Sequence, residues 1–300
     1  MKKIIIVLVI IVVLGLGIYL LTRNSEVEII SPEPVATTTD QTTTATTTDQ
    51  SSKGESIIGE SVQGRDILAY HYGQGNTELL FIGGIHGGYE WNTVLVAYEM
   101  MAYLKQNPNV IPSNLKVTVI PVLNPDGLNK VVGTTTGNFT SADVPASKDS
   151  QIAGRFNGNK VDLSRNFDCD WQANGTWQNT PVSGGSAAFS EPESQAIKSY
   201  VTANKPAAVI TWYSAAGGVY ASSCHNGVSA ETNTITKKYA DASGYPAHES
   251  FDFYAITGDM VNWFAKENIP AISVLLTNHI DTEWSKNQAG IEAILKYYSK

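Results

Sequence analysis

The sequence predicts an α/β domain with a mixed, mostly parallel sheet and helices on both faces, preceded by one transmembrane helix and a disordered stalk. Three observations carry this. Short runs that are apolar on both faces, such as Leu79–Ile82 and Ala207–Trp212, alternate with stretches of helical spacing, the pattern of buried parallel strands joined by covering helices. The chain opens on an uncharged apolar run, Ile4–Leu21. Between the two lies a stretch with no apolar period, Ala36–Ser52, made almost wholly of Thr, Asp, Gln and Ser.

The elements follow in order. A helix needs roughly 17 or more apolar residues to cross a bilayer, and Ile4–Leu21 meets that lower limit. Lys2 and Lys3 outnumber Arg23 across the run, which leaves the N-terminus in the cytoplasm and the rest of the chain outside. A secreted product of signal cleavage is the alternative; a cleavage site wants small residues, and the run ends Tyr19-Leu20-Leu21. The expected boundaries are an anchor over 1–23, a linker over 24–55 that cannot bury enough surface to offset its ordering entropy, and one domain over 56–300. Within the domain, strands are expected at Ile67–Tyr72, Glu78–Ile82, Leu115–Val122, Ala207–Trp212 and Ala271–Leu276. Helices are expected at Val94–Leu104, from Ser190 to Ala203, Thr232–Ala242, Gly258–Glu267 and Gln288–Tyr298. Ser190 and Glu193 have the spacing of a capping box.

The net charge of -8 comes with no basic cluster, which argues against nucleic-acid partners. Two cysteines, Cys169 and Cys224, both fall in the outer domain. An oxidising compartment favours a disulfide between them, two buried thiols being the other reading; their spacing matches no zinc motif.

In open α/β sheets, ligands sit at the carboxyl ends of the strands, so the informative residues are those just past them: His86, Asn124, Tyr213 and Asn278. A histidine and a glutamate stand in Gly83-Gly84-Ile85-His86-Gly87-Gly88-Tyr89-Glu90. Asn124-Pro125-Asp126-Gly127 follows a later strand. Then come Arg155-Phe156-Asn157-Gly158-Asn159-Lys160-Val161-Asp162-Leu163-Ser164-Arg165-Asn166-Phe167, and further on Tyr254, Thr257-Gly258-Asp259 and Trp263.

In these blocks, from about Gly59 to the C-terminus, the chain resembles the M14 family of zinc metallocarboxypeptidases. The resemblance implies zinc as cofactor and peptides with a free C-terminal carboxylate as partners. It makes His86 and Glu90 the first two zinc ligands and Asp162 the carboxylate that orients the histidine. Arg155 becomes the group that stabilises the oxyanion, and Ser164 with Arg165 the pair that grips the substrate carboxylate. Tyr254 is the tyrosine that closes over the substrate, and Val261 the floor of the side-chain pocket, with Asp259 two positions away.

The sequence departs from the family at four places. His86 and Glu90 are four apart where the family has H-x-x-E, an insertion that a bulge in the Gly-Gly turn would absorb. Ser164 stands where the family usually has Asn. Tyr213 occupies the position of the third zinc ligand, and a neutral phenol, with a reference pKa of about 10, is a poor ligand. His225 is a remote substitute. Leu275 occupies the position of the catalytic glutamate, whose proton transfer contributes roughly 10²–10⁴-fold; Asp281 and Glu283 follow, past the strand end. The expectation is an extracellular, membrane-held carboxypeptidase-like domain with a degenerate site, weakened zinc affinity, little or no catalysis and retained recognition of peptide C-termini. The alternative is an active zinc metallocarboxypeptidase trimming extracellular or cell-wall peptides.

Overall fold

The computed structural model describes residues 54–300. The expected anchor, and the linker up to residue 53, lie outside the described residues. Among the described residues, no helix is long and apolar enough to cross a membrane.

Eight strands form one mixed sheet. In chain order these are β1 (Glu55–Glu60), β2 (Asp66–Gly73), β3 (Thr77–Ile82), β4 (Leu115–Ile120), β7 (Ala208–Ser214), β8 (Gly218–Ala221), β9 (Ala247–His248) and β10 (Ala271–Leu276). Across the sheet they run β1-β2-β4-β3-β7-β10-β8-β9. The centre, β4-β3-β7-β10, is parallel, while β1, β2 and β8 pair antiparallel to their inner neighbours. A separate hairpin joins β5 (Asn174–Trp177) and β6 (Thr180–Ser183). The helices are α1 (Trp91–Gln106), α2 (Pro125–Val132), α3 (Lys148–Ala153), α4 (Pro192–Asn204), α5 (Ala230–Ser243), α6 (Met260–Lys266) and α7 (Trp284–Tyr298).

Side chains alternate across a strand, so each central strand feeds two cores. Leu80, Ile82, Val209, Tyr213, Ala271 and Leu275 face one core, which is closed by Ile197 and Val201 of α4 and by Trp263 and Phe264 of α6. Leu79, Phe81, Ile210, Trp212, Ile272 and Val274 face the other, closed by Met100 of α1, Tyr239 of α5 and Ile291 of α7. Burial on both faces is why these strands carry apolar residues on both sides and stand out in the sequence.

The capping box expected at Ser190 is absent. Helix α4 begins at Pro192, behind Glu191 as its N-cap, because proline pre-sets the first helical turn. The Ser190 hydroxyl instead donates to Glu191 at 2.7 Å, and the Glu191 N–H is taken by Asn166 Oδ1 at 3.1 Å. Cys169 and Cys224 form a disulfide with Cα atoms 6.1 Å apart.

Candidate active site

A cavity of about 580 Å³ opens at the carboxyl ends of β3, β7 and β10. The turn after β3 supplies its first two polar groups. Gly87 has φ 45°, and a Cβ there would lie 2.7 Å from the backbone nitrogen of Leu128, so only glycine lets this turn lie against α2. The turn tightens into one 3₁₀ turn, Gly87–Glu90, directly ahead of α1. That turn brings His86 Nδ1 within 2.8 Å of Glu90 Oε1.

The long loop between α2 and β5 supplies the rest. Asn124 caps α2 by accepting from Gly127 N–H at 2.8 Å, and its amide holds the Arg155 carbonyl at 3.2 Å. Arg155 reaches Asp162 through Nε and Nη2, both at 2.9 Å, and its Nη1 lies 3.2 Å from His86 Nδ1. Its guanidinium lies 4.5 Å over the Trp177 ring. Asp162 Oδ1 lies 3.4 Å from His86 Nε2 and accepts from the Ser164 hydroxyl at 2.8 Å. Ser164 is thus turned onto Asp162.

These charges set one another's protonation. Burial alone would raise Asp162, but Arg155 and then His86 overrule it and hold the carboxyl far below the usual range. Burial and Arg155 push the His86 imidazole down, and Glu90 with Asp162 more than offset them, leaving it raised.

Arg165 is 1% exposed. Its Nη2 donates to the Thr176 carbonyl at 3.0 Å, and its guanidinium lies 5.7 Å from the Tyr254 ring centre. Among the described residues no acidic side chain forms an ion pair with it, and its buried Nε–H has no acceptor. Gly258 locks this segment in place. With φ 65°, a Cβ on it would lie 2.1 Å from the Arg165 carbonyl, and its own N–H and carbonyl bond to Cys169 and Phe167 at 2.7 and 2.9 Å. Tyr254 and Val261 line the same cavity.

Tyr213 and Leu275 also line it. They are register partners on the parallel pair β7–β10, so they point side by side into one wall. The Tyr213 hydroxyl is buried without a partner. Burial, followed by the Asp259 carboxylate, pushes the phenol well above its ordinary range. Its ring stands edge-on to His86 with centres 5.5 Å apart. His225 pairs with Asp170 at 3.0 Å on the surface. Asp281 accepts from Asn278 at 2.9 Å, and Glu283 binds Thr277, Lys286 and Tyr245.

Sequence reasoning passed over one group. His279 lines the cavity beside Tyr89, ring centres 4.7 Å apart, and its Nδ1 lies 2.8 Å from Ser214 Oγ. Ser214 in turn donates to Asn92 Oδ1 at 3.2 Å, and Asn92 Nδ2 donates to the carbonyls of Asn278 and Asp281 at 2.8 and 3.0 Å. Asn278 marked the right strand end; nothing local in the sequence marked its neighbour.

A strand-end pocket with a buried His–Glu pair, an Arg–Asp pair behind it and a second, unpaired arginine defines a metallocarboxypeptidase-like α/β protein. The family model for zinc carboxypeptidases matches residues 41–290, and the chain belongs to that family. Among solved structures it is similar to murein-tripeptide amidase MpaA from Escherichia coli O157, at 19% identity, over 82% of this chain and 93% of that one, with a TM-score of 0.57. It is similar to bovine thrombin-activatable fibrinolysis inhibitor in complex with tick carboxypeptidase inhibitor, at 15% identity over 81% and 87%, TM-score 0.62. It is similar also to carboxypeptidase A from Helicoverpa armigera, at 20% identity over 82% and 66%, TM-score 0.61. At these identities the likeness is one of fold. Among curated proteins, none matches the sequence significantly.

The family is zinc-dependent, and the residues at the ligand positions here do not make a zinc site of the family's kind. A catalytic zinc takes three protein ligands and a water. His86 Nδ1 is occupied by Glu90 and crowded by the Arg155 cation, and the neighbouring Tyr213 offers only a neutral phenol. Among the described residues, no three His, Cys, Asp or Glu side chains are grouped to hold a metal ion.

Proposed function

We propose that the domain recognises the free C-terminal carboxylate of peptides and does not carry out efficient zinc-dependent carboxypeptidase hydrolysis. One observation carries the recognition half: Arg165, a permanent cation, is buried at the cavity with an unpaired N–H and no acidic partner among the described residues. A buried charge is costly without a counter-charge, and a carboxylate fits the planar fork of a guanidinium. The catalytic half rests on Tyr213 and Leu275, which put an un-ionised phenol and an alkyl chain where the family's mechanism needs a metal ligand and a proton acceptor.

The expected location is outside the cell, held by the apolar N-terminal run. The Cys169–Cys224 bridge supports an oxidising compartment.

Calorimetric titration with one peptide in two forms, free acid and C-terminal amide, tests the reading. The acid is expected to bind and the amide to lose most of the affinity. Equal binding of the two would remove Arg165 from recognition. Chelator-sensitive release of C-terminal residues from a peptide pool would instead favour a working zinc carboxypeptidase.

A further inference from the structure

The hydrogen bonds around His279 fix more than its position. Asn92 spends both amide protons on the carbonyls of Asn278 and Asp281, so its Oδ1 must face Ser214. That oxygen only accepts, so the single hydroxyl proton of Ser214 goes to it. The Ser214 oxygen is then left to accept, and the group facing it at 2.8 Å is His279 Nδ1. The imidazole therefore carries its proton on Nδ1, and Nε2 keeps a bare lone pair. Among the described residues no side chain or backbone group hydrogen-bonds to Nε2, while the ring lines the cavity shared with Arg155 and Arg165.

The charged groups that bear on the ring are Glu90, His86 and Arg155. Burial comes first and pushes the imidazole down; Glu90 works against it, His86 and Arg155 work with it, and the net direction is down. A neutral ring is what a base requires.

From this geometry we infer that His279 Nε2 is the pocket's general base for metal-independent hydrolysis of esters that end in a free carboxylate. This rests on the reading of Arg165 as the carboxylate grip. Nε2 takes a proton from water, and the water oxygen bonds to the acyl carbon. The carbonyl electron pair moves onto its oxygen, toward the Arg155 guanidinium. That pair then returns, the bond from carbon to the leaving oxygen breaks, and the imidazolium passes its proton to the departing alkoxide. The products are an acid and an alcohol, and water is the only co-reactant. Ser214 and Asn92 are positioning residues: they select the tautomer and do not touch the substrate.

Two measurements on the full chain test this. Histidine-selective ¹⁵N NMR at neutral pH, with His279→Gln to assign the signal, is expected to show a protonated Nδ1 and a bare Nε2. In Ser214→Ala the proton is expected to redistribute toward Nε2. Hydrolysis of benzoylglycyl-phenyllactate in excess chelator is expected to fall about a hundredfold or more in His279→Gln, and in Ser214→Ala through kcat with KM little changed. A proton on Nε2 in the parent overturns the inference. So does binding of the ester without chelator-resistant turnover, or turnover that survives His279→Gln. If acid and amide peptides bind alike, the carboxylate grip fails on its own, and the tautomer still decides the base. A His279→Gln protein that does not fold leaves the decision with Ser214→Ala and the parent spectrum.

Discussion

Tyr213 and Leu275 are the side chains on which the proposed loss of zinc chemistry rests. The phenol sits beside His86 with its hydroxyl unbonded, so an imidazole in its place would present a ring nitrogen toward the His86–Glu90 pair. Tyr213→His together with Leu275→Glu is expected to bind one equivalent of zinc where the parent binds none, as read by calorimetry, and to release C-terminal residues from peptides. A double variant that folds but ignores zinc would show that the cavity wall, and not the ligand set, blocks the metal. At Arg165 the expected effect is on affinity. Hydrogen bonds to charged groups are worth about 1.5–3 kcal/mol, so Arg165→Ala should weaken a free-acid peptide roughly ten- to a hundredfold and leave its amide unaffected. His86, Glu90, Arg155, Asp162 and Arg165 could all be singled out from sequence, because each sits in a short block of recognisable order. His279 could not. Its role depends on Ser214 and Asn92, which lie on β7 and α1, so the arrangement exists only after the sheet has formed.

Glu283 ties the end of β10 to the start of α7. It accepts from Thr277 N–H at 2.6 Å, from Lys286 at 2.7 Å and from Tyr245 at 2.8 Å. Burial would raise its carboxyl, but Lys286 and these donors prevail and bring it down to about 2. A carboxyl depressed on folding adds stability above its unfolded value, near 4.3, and loses it as pH falls toward 2. Thermal melts should therefore show the parent losing stability between roughly pH 4 and 2 more steeply than Glu283→Gln; superimposable acid limbs would rule the contact out. The elements themselves divide by burial. Strands β3, β4, β7 and β10 were legible as apolar runs because both faces are covered. β1, β5 and β6 were not: they are part-exposed, pair as local hairpins and carry no continuous apolar run. β8 is buried at each of its four positions but too short to leave a period. The start of α4 was misplaced because Pro192 and the Asn166–Glu191 contact outweigh a local capping pattern.

Across the whole molecule the disulfide is the longest covalent constraint, joining Cys169, just past the Arg165 segment, to Cys224 beyond β8, 55 residues apart. Closing a loop of that length removes unfolded-chain entropy worth about 4 kcal/mol. At roughly 2–4 °C per kcal/mol for a domain of this size, Cys169→Ser/Cys224→Ser should melt up to about 8–16 °C below the parent in calorimetry. An unchanged melting temperature would mean that the bridge adds nothing to the fold. The two cores explain why the architecture was readable when much of the chemistry was not. They need only apolar residues in alternation, whereas the pocket needs particular atoms from separate strands to meet.

Because Tyr213 and Leu275 are register neighbours on β7 and β10, the two positions are not independent genetic loci. Glutamate at 275 alone would set a carboxylate beside the Tyr213 phenol, in a cavity that already holds Arg155 and Arg165. Histidine at 213 alone would bring an imidazole beside His86 and leave leucine as its register neighbour. Each side chain is therefore part of the other's surroundings, and a change at one position alters what the other meets. The sheet's register is what couples them, through a pairing that neither strand sets alone.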